Sequence, residues 1–91
     1  MDQIDQMDLE EPVVQIIMLT NGVVLISQIV EIISDLGQPD CKLIQPYVVE
    51  TMTPWLNEYT NNTEIAISSD KILTLIDPKQ SILNNYLEFI K

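Results

Sequence analysis

Two runs dominated by Val, Ile and Leu, Val13 to Thr20 and Val23 to Ile33, flank the pair Asn21-Gly22. Asn and Gly accept the positive φ that a two-residue type I′ turn requires, so this pattern predicts a β-hairpin. The second run starts apolar on both faces, and Ser27 and Glu31 mark its later outward positions. A strand so long and so apolar at one end is predicted to bend across a barrel and feed two sides of one core. Ser34 to Asp40 predicts the next turn, and Cys41 to Thr51 a third strand. Pro46 has no N–H for a ladder, which places it at an edge, a bulge or a bend.

The later half is shorter in period. Thr53 to Asn62 holds Pro54, Trp55 and Tyr59 among polar residues and reads as an irregular loop. Thr63 to Ser68 alternates, with Ile65 and Ile67 inward, and Ile72 to Ile76 follows the short turn Ser69-Asp70-Lys71. Asp77 is placed to cap a helix, Pro78 to occupy its first position and Gln80 to complete a capping box. Ile82, Leu83, Tyr86, Leu87, Phe89 and Ile90 then share one face of a helix over about 78–90. The expectation is a mainly β domain over residues 13–91. Its five strands form a strongly bent antiparallel sheet, a small open barrel, with a C-terminal helix. An open three-on-two sandwich is the nearest alternative. Residues 1–12 are read as a disordered acidic N-terminal tail or, on the Met1, Ile4, Met7 spacing, as a short helix; Pro12 ends either one.

Charge changes the picture more than composition does. At 91 residues and 46% apolar, the chain is one small domain with a single core, not a mainly disordered protein. Fourteen acids against four lysines, with no arginine and no histidine, give a net charge of −10. Asp2, Asp5, Asp8, Glu10 and Glu11 precede Pro12, which leaves nine acids against four lysines, −5, for the rest. Such a chain repels nucleic acid and anionic membrane at long range and is highly soluble. The lone Cys41 excludes an internal disulfide, the N-terminus lacks a signal-peptide pattern, and no stretch approaches the ~20 apolar residues of a membrane span. A reducing cytoplasm and no membrane association are the expectation, and Asn61-Asn62-Thr63 reads as a polar loop, not a glycosylated sequon.

Catalysis has few handles in this chain. Histidine is absent, Cys41 has no activating partner in the sequence, and no glycine-rich phosphate loop exists. Asp2, Asp5 and Asp8 lack the spacing of a calcium loop. The expectation is a non-enzyme with no catalytic residue, cofactor or metal.

Leu19-Thr20-Asn21-Gly22 is similar to the opening of the first motif of the Sm, LSm and Hfq-like proteins, where an apolar residue precedes an Asn-Gly or Asp-Gly turn. Ile67-Ser68-Ser69-Asp70-Lys71-Ile72 is similar in position and length to their second motif, and the resemblance covers Val13 to Ile76. The acidic balance is similar to Sm-like proteins of marine phages, which would put the chain in the cytoplasm of an infected bacterium. The resemblance implies a homo-oligomeric ring, joined by pairing of edge strands, that binds single-stranded RNA or DNA. Its RNA-contacting positions fall on Asp35 and Gln38 in the first motif, with one residue inserted before them, and on Ser68, Ser69, Asp70 and Lys71 in the second. The chain departs from the pattern at three places. Ser68 stands where the family has arginine, Ser69 where it has glycine, and Ser27 where a glycine lets the second strand bend. The helix also lies at the end of the chain, whereas the family places it first.

The chemistry behind that implication rests on few groups. One Lys71 per subunit around a ring mouth concentrates positive charge on an acidic protein, and Asp70 beside it weakens the effect. Aromatic stacking supplies about 1–3 kcal/mol per base. Trp55 is the aromatic candidate for the site, with Tyr47 and Tyr59 behind it. Trp55 reads equally as a packed loop anchor or a subunit contact, and Tyr47 as a core residue. The alternative function is an acidic protein-interaction or assembly module with the same barrel, engaging a basic partner or mimicking nucleic acid. Net charge and the missing arginine favour that alternative.

Overall fold

A computed structural model describes residues 13–91; the expected acidic tail lies outside the described residues. The strands are β1 (Val13–Leu19), β2 (Val24–Glu31), β3 (Cys41–Val48), β4 (Thr53–Pro54), β5 (Glu64–Ile67) and β6 (Ile72–Ile76), followed by helix α1 (Gln80–Phe89). The domain is therefore mainly β with a C-terminal helix. All pairings are antiparallel, in the order β4-β3-β2-β1-β6, and β5 joins the other half of β3. The sixth strand is the two-residue β4, which pairs with Tyr47 and Val48 at the start of what reads in sequence as a loop. The sheet does not close on itself. Among the described residues β5 pairs only with β3 and β6 only with β1, so each has a free edge.

Strands β1 and β2 are apolar on both faces because both faces are covered. Ile17, Leu19, Leu25 and Leu43 form one cluster on the inner face, with Trp55, Ile67 and Ile72 packed against it. Ile16, Ile26 and Tyr86 form the other, where Ile82, Leu83 and Ile90 bring the helix down on the opposite face. Alternation along each strand sends neighbours to different clusters. The helix stripe is narrower than its sequence suggests. Ile82, Leu83, Tyr86 and Ile90 span an arc of about 100°, while Leu87 and Phe89 fall just outside it and stay exposed.

Three local expectations are corrected. The β1–β2 loop has three residues, not two: Leu19 and Val23 face each other through Leu19 N–H to Val23 O, and Gly22 N–H closes a turn onto Leu19 O, both at 2.9 Å. Gly22 alone in the loop takes a left-handed φ, 93°, and the Asn21 side chain accepts from Val23 N–H at 3.1 Å. This is a type I turn followed by a left-handed glycine, in which Asn21 serves by its side chain and not by positive φ. Second, Ser27 is fully buried, not outward. The β2–β3 register shifts between Ile26 and Gln28, so Ser27 sits at a bulge, and its hydroxyl lies 2.8 Å from Gln28 O and 3.2 Å from Ile44 O. The opposing strand supplies the extra residues at Gln45, φ 55°, and at buried Pro46, which occupies a bulge as its missing N–H requires. Third, Asp77 does not cap the helix. Lys79 is the N-cap without a side-chain bond; Asp77 accepts instead from the Gln15 side chain at 3.3 Å, and Gln80 donates forward to Asn84.

Candidate nucleic-acid interface

The β2–β3 turn and the β5–β6 turn meet because β3 and β5 are paired. Cys41 lies opposite Ile67, so the residues just outside that pair, Asp40 and Ser68-Ser69, come together at the end of the ladder. A single 3₁₀ turn, Ser69–Lys71, links β5 to β6, and Lys71 N–H donates to Ser68 O at 3.0 Å. The Asp40 carboxylate clamps this turn: it accepts from Ser69 N–H at 2.7 Å and from the Ser69 hydroxyl at 2.8 Å. Lys71 O in turn accepts from Thr20 N–H at 2.9 Å, which ties the same turn to the β1–β2 loop.

Gly37, Gln38, Asp40, Ser68, Ser69 and Asp70 line a cleft of about 230 Å³ between the two turns. Of the residues expected in the site, Gln38, Ser68, Ser69 and Asp70 are thus brought together. Lys71 is exposed beside them in sequence but does not line the cleft. Asp35 is also outside the lining; its carbonyl accepts from Gln38 N–H at 3.0 Å, so it shapes the turn that presents Gln38. Trp55 packs against the inner cluster of Ile17, Leu19, Leu25 and Leu43, as a loop anchor. Sequence reasoning missed Asp40. The signal was its place as the last residue before β3, but its partner is legible only once β3 is known to pair with β5.

The two bonds from Ser69, backbone first and hydroxyl second, hold the Asp40 carboxyl below its ordinary value of 3.8. A depressed folded pKa gives stability that is fully present above the unfolded value and is lost as pH falls through the folded one. The clamp is therefore closed at neutral pH. The Ser69 amide proton, followed by NMR, is expected to titrate with a midpoint below 3.8 in the wild type and to lose that titration in Asp40→Ala.

A second, larger cleft of about 650 Å³ runs along β6, with Val13, Ile29, Val30, Leu73 and Leu75 in its walls. Leu73 is 65% exposed and Leu75 43%. The buried Cys41 thiol also borders it, with its pKa raised by burial and then by the Asp40 and Glu31 charges, so it stays protonated and weakly reactive. Among the described residues no three His, Cys, Asp or Glu side chains come together in a way that could hold a metal ion. Nor is any described helix long and apolar enough to cross a membrane.

A family model spans residues 12–91, from the last residue before β1 to the C-terminal residue. The chain belongs to DUF6561, a family of unknown function. The match takes in every strand and the helix, so the helix belongs to the family's unit. No curated protein matches the chain.

Proposed function

We propose that this DUF6561 member is a non-catalytic, Sm-like ring protein that binds single-stranded RNA, or DNA, at the clefts between its β2–β3 and β5–β6 turns. The observation that carries the reading is the meeting of these two turns through Asp40 and Ser69. They hold the positions that match the RNA-contacting loops of the Sm-like family. Strand order supports it as well. The free edges of β5 and β6 lie at opposite ends of one sheet, so β5 of one copy can extend β6 of the next until a ring closes. The exposed Leu73 and Leu75 then pack against Ile65 and Ile67 of the neighbour. A single free cysteine fits a reducing cytoplasm.

Within this ring Lys71 supplies the cation, Gln38 and Ser68 the neutral hydrogen-bonding groups, and Asp40 only the clamp that holds the turn. Lys71→Glu is expected to abolish oligonucleotide binding with fold and assembly unchanged. Ser68→Arg is expected to strengthen binding and to steepen the salt dependence by up to about 0.7 in log–log slope for each phosphate that the new guanidinium neutralises. Titration of oligo-A and oligo-U with both variants at two salt concentrations tests this. Unchanged affinity in both would remove the cleft from the account.

The acidic interaction module remains a second reading on one specific observation: no arginine exists in the chain, and Ser68 occupies the place where the Sm-like family has one. That reading expects no oligonucleotide affinity at any salt and binding to basic proteins that weakens as salt rises.

A further inference from the structure

Asn21-Gly22 has a chemistry that its part in the hairpin does not use. An asparagine side chain is open to attack by the backbone nitrogen of the next residue, and a glycine there has no Cβ to obstruct the approach. Six asparagines occur in the chain, Asn21, Asn57, Asn61, Asn62, Asn84 and Asn85, and Asn21 alone precedes a glycine. All six are exposed. The space around Gly22 is open as well: a Cβ there would meet no atom within 4 Å beyond its own chain neighbours.

The reaction balances with water alone. The Gly22 nitrogen gives up its proton and bonds to the Asn21 Cγ, and the side-chain nitrogen leaves with a proton as ammonia. The cyclic succinimide that remains takes up one water at either of its carbonyls. Opening at one carbonyl restores the peptide with aspartate at position 21. Opening at the other leaves isoaspartate, with the main chain routed through Cβ and Cγ.

In the folded loop both reacting groups are already engaged. The Gly22 N–H, whose proton has to leave, donates to Leu19 O at 2.9 Å, and Asn21 Oδ1 accepts from Val23 N–H at 3.1 Å, which turns the carboxamide toward Val23. Leu19 N–H to Val23 O, at 2.9 Å, pins the two ends of the loop. Attack therefore waits for the loop to open. We infer that Asn21 is the deamidation site of this chain, shielded by these hydrogen bonds while the hairpin is closed, so that loss of its amide records openings of the β1–β2 loop. A reaction that passes through a rare open state follows the population of that state.

The two products leave different loops behind. Aspartate keeps an oxygen that accepts from Val23 N–H. Isoaspartate adds a carbon to the main chain of a three-residue loop whose ends are held in register by Leu19 and Val23. The same loop is tied to the Ser69–Lys71 turn through Thr20 N–H and Lys71 O at 2.9 Å, so isoaspartate unfastens the turn that carries Lys71. This coupling holds whether or not that turn meets nucleic acid.

The full chain, held in mildly alkaline buffer with and without urea and mapped by peptide mass at every asparagine, tests this. In urea Asn21 is expected to deamidate ahead of the other five. In the folded chain its rate is expected to fall by about tenfold or more, because opening gives up at least two net hydrogen bonds. Hydrogen exchange reads the consequence: the Thr20 amide is expected to lose protection in the separated isoaspartate form and to keep it in Asn21→Asp. Equal Asn21 rates with and without urea would overturn the shield, and a faster asparagine elsewhere in urea would overturn the site. A protected Thr20 amide in the isoaspartate form would overturn the coupling to the Lys71 turn.

Discussion

Tyr86→Ala is expected to remove a large part of the domain's stability and to lower its urea midpoint sharply. Tyr86 is fully buried between the helix and the sheet, and its ring meets Tyr47 edge-on at 5.7 Å. Its hydroxyl donates to Gln45 O at 2.8 Å, with Ile44 O at 3.3 Å. Removing a buried aromatic ring costs about 3–5 kcal/mol, a large part of the ~5–15 kcal/mol that holds a small domain together. The hydroxyl adds a local effect. Gln45 is a non-glycine residue at φ 55°, held there by its N–H to Thr63 O, by its carbonyl to Tyr86 and by its side chain to Gln28. Such a conformation persists only where neighbours over-determine it. Tyr86→Phe keeps the ring and leaves the part-buried Gln45 carbonyl without this donor, at a cost of about 1–3 kcal/mol. Urea denaturation of both variants checks the ranking; a Tyr86→Ala protein with the wild-type midpoint would mean that the helix is an appendage.

Ala66→Pro is expected to take the proposed ring apart without unfolding its subunits. Gln45 N–H donates to Thr63 O, which marks that position as a hydrogen-bonded pair of the β3–β5 ladder. Hydrogen-bonded pairs recur at every second residue, so Ile65 and Ile67 bond inward to β3, and the N–H groups of Glu64 and Ala66 face the free edge. Proline at Ala66 removes one of the edge donors that the neighbour's β6 would use in the proposed ring and is tolerated on an edge strand. Ile67→Pro, one residue on, breaks the inward ladder and is expected to destabilise the subunit itself. Circular dichroism with sedimentation separates the two. If Ala66→Pro assembled like the wild type, the β5 edge would not be the joint.

The hydrophobic pattern carried the order of the strands well, because long apolar runs and proline positions have direct backbone consequences. Pro46 is a case in point: its missing N–H required a bulge or edge, and it lies in the bulge opposite Ser27. Ser27 itself was illegible as a buried residue, since a hydroxyl reads as outward until the carbonyls it reaches, on Gln28 and Ile44, are known. The hairpin turn was legible as a turn and illegible in its length. Two or three loop residues both suit Asn21-Gly22, yet they shift the register by one and exchange the faces of a whole strand. The observed pairing of Ile17 with Leu25 sends both to the inner cluster and leaves Ile16 and Ile26 for the helix. Near the candidate site, Ser34 to Asp40 and Ser69-Asp70-Lys71 were readable as turns from their residue types. The role of Asp40 was not, because it depends on a partner 29 residues away.

The most direct test of the account is sedimentation of the intact chain with a labelled single-stranded oligonucleotide. The label is expected to travel with a species of several subunits, and the bound fraction to fall as salt is raised. A label that sediments as free oligonucleotide at every salt, or a protein that carries it as a monomer, would contradict it.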